Sequence, residues 1–206
     1  MELIDILKSK KSDNVYTKAV SSVHEFYLLG DIESADNYVD WFDIIRHSSE
    51  NDIVKIYINS YGGDLFAAIQ FMRVLSESAA TKIISVEGSC VSAATMIFMC
   101  ADIFEVTPHS VFMFHNYSGG AIGKGGEMID QLLHERKWSE RLLNDVYKNF
   151  LTKEEIKSIL DNKDIWMDGE EVVKRLNAMK ATKGESKKTP KTDKSKLKNT
   201  SQDPVQ

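Results

Sequence analysis

The chain has little cysteine: Cys90 and Cys100 are the only two in 206 residues. Both sit in an apolar stretch. They are too few for a disulfide framework and lack metal-ligand spacing, a usage that fits a reducing cytoplasm. Long apolar runs are missing too, since none reaches the roughly 18 residues of a membrane span. The opening MELIDILKSKKSDN sets acids in front of its lysines and offers no small-residue cleavage site, so it does not read as a secretory signal. There is no internal repeat. The glycine-rich GGAIGKGG at 119–126 has the wrong spacing for a phosphate loop, and Gly125 stands where Ser or Thr should follow the lysine. Neither a nucleotide nor any other cofactor or metal is expected. Positive charge is scarce in the body of the chain. The net charge is −5, yet the tail from 177 is rich in lysine against only Glu185, Asp193 and Asp203. The body is therefore more acidic than the total, which argues against a nucleic-acid-binding domain.

What is present is enough for one domain and a tail, with 42% apolar residues to build a core. Residues 1–23 are mixed and polar and read as a loosely held N-terminal segment. HEFYLL at 24–29 reads as a strand. Ser34 is placed to cap a helix that carries Tyr38, Trp41, Phe42 and Ile45 on one face. IVKIYI at 53–58 is a β-branched strand, followed by a turn at Asn59–Asp64 and a helix with an apolar stripe from Leu65 to Leu75. KIISVE at 82–87 is another strand, turning through Gly88–Ser92 into a short apolar helix, Ala93 to Cys100. Two strands are expected near 104–107 and 111–115, then a long helix from about Glu127 to Phe150. Thr152-x-x-Glu155 and Asp168-x-x-Glu171 resemble capping boxes. Strands alternating with helices favour parallel strands joined by crossovers, an α/β domain over 24–176. From Asn177 the pattern stops, and 177–206 is expected to be a lysine-rich disordered tail.

Three residues carry candidate chemistry, and each also has a plain reading. Ser92 lies at a turn that opens a helix, where free N–H groups favour developing negative charge. It could equally be an N-cap or a small packing residue. Its surroundings are not the Gly-x-Ser-x-Gly elbow of α/β-hydrolases. His115 ends the strand VFMFH, where a histidine is usually structural. Asp164, in DNKDIW, reads as a loop acid or a cap. A serine nucleophile needs a base to take its proton and an acid to orient that base. Gly62 and Gly63 would let a backbone N–H approach a ligand, as an oxyanion hole requires, or would simply form a strand–helix turn.

These segments fall into one register. INSYGG resembles the I-N-S-P-G-G of the Clp protease proteolytic subunit, and GSCVSAAT its G-x-A-A-S-M-G-A. VFMFHN resembles the strand ending in M-I-H-Q, and KDIWMDGEEV resembles R-D-x-F-x-[ST]-x-E-E-A. The four occur in family order. Their intervals match except for a slightly shorter one between Ser92 and His115. The resemblance spans about 24–176.

The resemblance implies a ClpP/crotonase-type fold of repeated βαβ units, with residues 124–150 as a projecting handle helix. It implies a serine peptidase with Ser92 as nucleophile, His115 as base and Asp164 as orienting acid, and with the N–H groups of Gly63 and Ala93 as the oxyanion hole. It implies peptide or unfolded-protein substrates, and a homo-oligomer of two heptameric rings enclosing a chamber. An AAA+ unfoldase is the implied partner, with neither nucleic acid nor membrane involved. Departures from the family pattern are Tyr61 for Pro, Ala94 for Gly and Asn116-Tyr117 for Gln-Pro. The apolar positions that receive an unfoldase loop are here Lys55, Tyr57, Glu77, Ser85, Glu87, Glu105 and Thr107. Such a polar face points to a divergent, phage-encoded member. The alternatives are a self-sufficient processing protease of the capsid-maturation kind, a non-catalytic ring subunit, and an acyl-CoA enzyme of the crotonase fold, for which no CoA-binding feature is found.

Overall fold

The computed structural model describes residues 21–186. The expected N-terminal segment lies almost wholly outside them, as does the tail beyond 186. Strand β1 (Val23–Ile32), β2 (Ile53–Gly63) and β3 (Thr81–Val91) pair in parallel, Val23 opposite Ile53 and Ile53 opposite Thr81. Along β2 the alternation is strict. Val54, Ile56, Ile58 and Ser60 point into the core while the residues between them face outward, as a period of two requires. β4 (Ile103–Val106) takes the first half of the far edge of β3 and β5 (Val111–Phe114) the second half, both parallel. β6 (Ile165–Asp168) closes the sheet on β5 and runs antiparallel to it. The path is β1-β2-β3-β5-β6, so the fold is mixed α/β with a mostly parallel sheet.

Helices fill the gaps between strands. A short 3-10 turn at Ala35–Tyr38 leads into α1 (Val39–His47), so the helix expected after Ser34 starts later and Ser34 makes no side-chain cap. α2 (Leu65–Glu77) is capped by the Asp64 carboxylate, which accepts from the Ala67 N–H at 2.7 Å. It buries Ala67, Ala68, Phe71, Val74 and Leu75, and Phe71 meets Tyr38, Trp41 and Phe42 in an aromatic cluster. α3 (Ala93–Phe98) is buried along its whole length. α4 (Gly125–Tyr147) buries Ser139, Leu143 and Tyr147 near its end, while Ile129, Leu132 and Leu133 stay exposed. α5 (Lys153–Leu160) opens with the expected capping box of Thr152 and Glu155. α6 (Gly169–Ser186) follows, the Asp168 carboxylate accepting from the Glu171 N–H at 2.9 Å. No helix among the described residues is long and apolar enough to cross a membrane.

The structure corrects the sequence reading in three places. First, β2 does not stop at Ile58 but runs on through the expected turn to Gly63. Gly62 and Gly63 stay paired with Asp31 and Ile32, and the strand ends on this pair, both with positive φ. Gly88 lies inside β3, which carries extra residues relative to β2. There the Asn59 side-chain oxygen accepts from the Ser89 N–H and Oγ, and a β-carbon on Gly88 would meet that oxygen at 2.7 Å. Second, β6 is a strand where a loop and a helix start were expected. Third, the folded body does not stop at Leu176. α6 runs on to Ser186, and Val172, Leu176 and Met179 continue one buried stripe at helical spacing past the expected end.

Candidate active site

The parallel ladder brings the ends of three strands together. β3 ends at Val91, and Ser92 follows with φ 59° and ψ −130°, a conformation disfavoured for a residue with a β-carbon. Its N–H donates to the Met113 carbonyl of β5 at 2.9 Å, and α3 begins at the next residue. Thus the serine is lifted out of the sheet at a fixed turn. His115 is the first residue beyond β5, and its Nε2 lies 2.5 Å from Ser92 Oγ. Two residues whose spacing alone said nothing about contact are therefore hydrogen-bonded.

Asp164 is placed by the other edge of β5. The antiparallel register pairs Phe114 with Ile165, so one step further His115 and Asp164 stand at neighbouring strand ends. No hydrogen bond joins them, and Asp164 is exposed. The same gap is bridged by Asn116, whose Nδ2 donates to the Asn162 side-chain oxygen at 3.3 Å. The structure thus unites Ser92 and His115 and leaves Asp164 beside them without direct contact.

Gly63 and Ala93, the two expected oxyanion donors, line one small cavity of about 120 Å³ with Ser92, His115 and Met96. Gly62 proves as important as its neighbour. A β-carbon there would lie 2.6 Å from Ser92 Cβ and 3.0 Å from its Oγ. The cavity opens past Gly63, Leu65, Tyr117 and Ser118 into a larger cleft of about 620 Å³ walled by Phe66, Trp138, His134 and Glu135. Phe66 is 73% exposed, and its ring stacks on Trp138 at 5.9 Å between centroids. Tyr117 meets the Trp138 edge and donates from its hydroxyl to Glu135 at 3.0 Å. Burial first, then the Glu135 carboxylate, hold the Tyr117 phenol above its ordinary range. Sequence reasoning missed this wall. Trp138 and Glu135 sit on a helix read only for its apolar stripe, and an exposed Phe66 looks like any helix-start residue.

The two cysteines are not rival nucleophiles. Burial holds the Cys90 thiol far above its ordinary value and pushes Cys100 up to about 12, so neither forms a thiolate readily. Among the described residues no group of three His, Cys, Asp or Glu side chains could hold a metal ion.

A serine held in a strained strand-to-helix turn, with an imidazole nitrogen on its hydroxyl, is the working arrangement of hydrolases that attack through serine. A model of the Clp protease family matches residues 9–175, and the chain belongs to that family. It is accordingly a peptidase of the hydrolase class. No curated protein matches the chain.

Proposed function

We propose that this protein is a serine endopeptidase that cleaves peptides or unfolded proteins with Ser92, His115 and Asp164. The observation that carries the reading is the contact of His115 Nε2 with Ser92 Oγ at 2.5 Å. The imidazole takes the hydroxyl proton as Oγ attacks the scissile carbonyl. The resulting oxyanion is met by the N–H groups of Gly63 and Ala93, and His115 returns the proton to the leaving amine. Water then repeats the sequence to free the acyl group. Asp164 closes the short gap to His115 when substrate or assembly tightens the site, since catalytic hydrogen bonds are often loose without ligand. The aromatic cleft beside the pair accommodates an apolar substrate side chain. The proposed setting is the cytoplasm, in paired heptameric rings joined through α4.

A fluorophosphonate probe and a fluorogenic peptide test this reading. Wild type should be labelled at Ser92 and should hydrolyse the peptide. Ser92→Ala should lose labelling and at least about a thousandfold in kcat, as loss of a triad member does. Retained hydrolysis in the variant would sink the assignment.

A second reading, action without a standard unfoldase, is favoured by the outer sheet face. Register places Lys55, Tyr57, Ser85 and Glu105 side by side there. Lys55 Nζ pairs with Glu105 at 3.0 Å, Tyr57 donates to Glu25 at 2.7 Å and stacks on Tyr27 at 4.8 Å, and Glu77 is held by Arg46 and Arg73. An apolar loop would have to strip these paired groups of water and partners without replacing either. Degradation of a tagged folded protein with ATP and a bacterial Clp unfoldase should therefore be weak or absent. Efficient degradation would leave the unfoldase-coupled reading in its place.

A further inference from the structure

The turn that carries Ser92 is costly, and its carbonyl shows what holds it. Ser92 O accepts from the Thr95 N–H at 3.0 Å and again from Thr95 Oγ1 at 2.6 Å. Thr95 Oγ1 in turn lies 2.6 Å from the hydroxyl of Tyr147, the last residue of α4. A threonine hydroxyl has one proton, and a carbonyl can only accept. The Thr95 proton therefore goes to Ser92 O, and the Tyr147 phenol must donate to Thr95. All three groups are thereby satisfied in a site from which water is absent on burial grounds, Thr95 being fully buried and Tyr147 2% exposed. Burial holds the phenol far above its ordinary range, so it keeps the proton that this chain of bonds needs.

The same tyrosine reaches the other half of the pair. Its ring meets Phe114, the residue before His115, edge to face at 5.4 Å and 89°. Phe150, just beyond α4, also packs on Phe114, at 5.5 Å between ring centroids. One side chain thus touches the nucleophile turn through its hydroxyl and the base's strand through its ring. These two loads arrive from elements far apart in sequence.

We propose that Tyr147 and Thr95 are positioning residues for the Ser92–His115 pair, the Tyr147–Thr95–Ser92 chain of hydrogen bonds holding the nucleophile turn in its strained conformation while the Tyr147 ring fixes the strand end that bears His115. The proposal rests on the peptidase reading above. A bond from threonine to the carbonyl three residues earlier is common in helices and usually inert. Here the carbonyl belongs to the strained nucleophile, and a second buried hydroxyl is committed to the bond.

The test uses the full chain, with two readouts: steady-state hydrolysis of a fluorogenic peptide, and the second-order rate at which a fluorophosphonate is captured at Ser92. In the latter Oγ displaces fluoride from phosphorus while its proton passes to His115. Measurements are made well below each variant's melting temperature, where a purely stabilising role would leave rates unchanged. Tyr147→Phe and Thr95→Val should each lower kcat and the capture rate by about tenfold, with KM within about twofold, as expected when a reacting group loses its alignment. Thr95→Ser keeps the hydroxyl and should stay within about threefold of wild type. The double variant should fall no further than the worse single, since both act through one chain of bonds. Wild-type capture rates in both Tyr147→Phe and Thr95→Val would overturn the proposal. So would equal losses in Thr95→Ser and Thr95→Val. Should Tyr147→Phe fail to fold by circular dichroism, the two Thr95 variants decide alone. Wild type that captures no probe at all would instead overturn the peptidase reading.

Discussion

At Gly62 the backbone has φ +97°, and the space a side chain would need belongs to Ser92. Alanine there would be strained twice, once by its own dihedral and once by a contact 2.6 Å from Ser92 Cβ. The strand cannot move away, because Gly63 beside it is as tightly held. A β-carbon on Gly63 would meet the Ile32 carbonyl at 2.3 Å. Gly62→Ala should therefore displace Ser92, the proposed nucleophile, and lower kcat by about a hundredfold, the typical cost of a misplacement near 1 Å. Active-site titration should show the variant folded and slow to react, and unchanged kinetics would mean that the turn relaxes freely. The glycine pair was visible in the sequence, but only as a source of backbone N–H groups or as a strand–helix turn. That its first member makes room for a serine far along the chain depends on the β2–β3 register, which no local pattern reveals.

Between elements, the firmest polar link among the described helices joins α5 to α6. Arg175 donates to both oxygens of Glu155 at 2.8 Å each, and its Nε donates to Glu171 at 2.7 Å. Arg175 is the main cause holding both carboxyls below their ordinary range. A depressed folded pKa means that the stabilisation is complete above the unfolded value, near pH 4.5, and is lost as pH falls through the folded value. Glu155→Gln should thus cost about 1 kcal/mol at neutral pH, allowing for partial solvent screening. The difference from wild type should shrink at an acid pH well below the depressed folded value, where Glu155 too carries a proton. Urea melts at the two pH values would read this directly, and a gap that persists in acid would assign the loss to packing. The capping residues Thr152 and Asp168 were legible from their spacing, as were the long helix and the core strands. β6 was not, because four residues, IWMD, flanked by acids and lysines give no alternation to count. Its pairing comes from β5 alone. α6 outran its expected end because composition after 177 resembles a tail, and one methionine, Met179, decides otherwise.

For the molecule as a whole, the exposed face of α4 is the feature that a single chain leaves unexplained. Ile129, Leu132 and Leu133 recur at helical spacing and stand 60%, 49% and 54% exposed. A second copy of the chain is the occupant that the ring assembly proposed above supplies. Light scattering at micromolar concentration should give a mass many times 23.3 kDa. Leu132→Asp with Leu133→Asp should shift it sharply downward while the circular dichroism spectrum is kept, since neither side chain supports the core. A wild-type monomer would remove the ring chamber from the proposal without touching the Ser92–His115 pair. Fold class and the candidate site residues were readable from four short motifs. The contact between Ser92 and His115 and the open gap to Asp164 were not, because sequence intervals fix order along a chain and say nothing of distance across a sheet.

The position of β6 also has a consequence for how the protein is made. Synthesis runs from the N-terminus, and chains begin to fold in that direction. Residues 111–114 can dock against β3 long before 165–168 leave the ribosome, so Ser92 and His115 meet while the outer edge of β5 is still bare. Val111, Phe112, Met113 and Phe114 then offer an unpaired apolar strand to any neighbouring chain. A ribosome that stalls in α4 or α5 would release a product poised to aggregate, and the four residues of β6 are what cover the sticky edge of the intermediate.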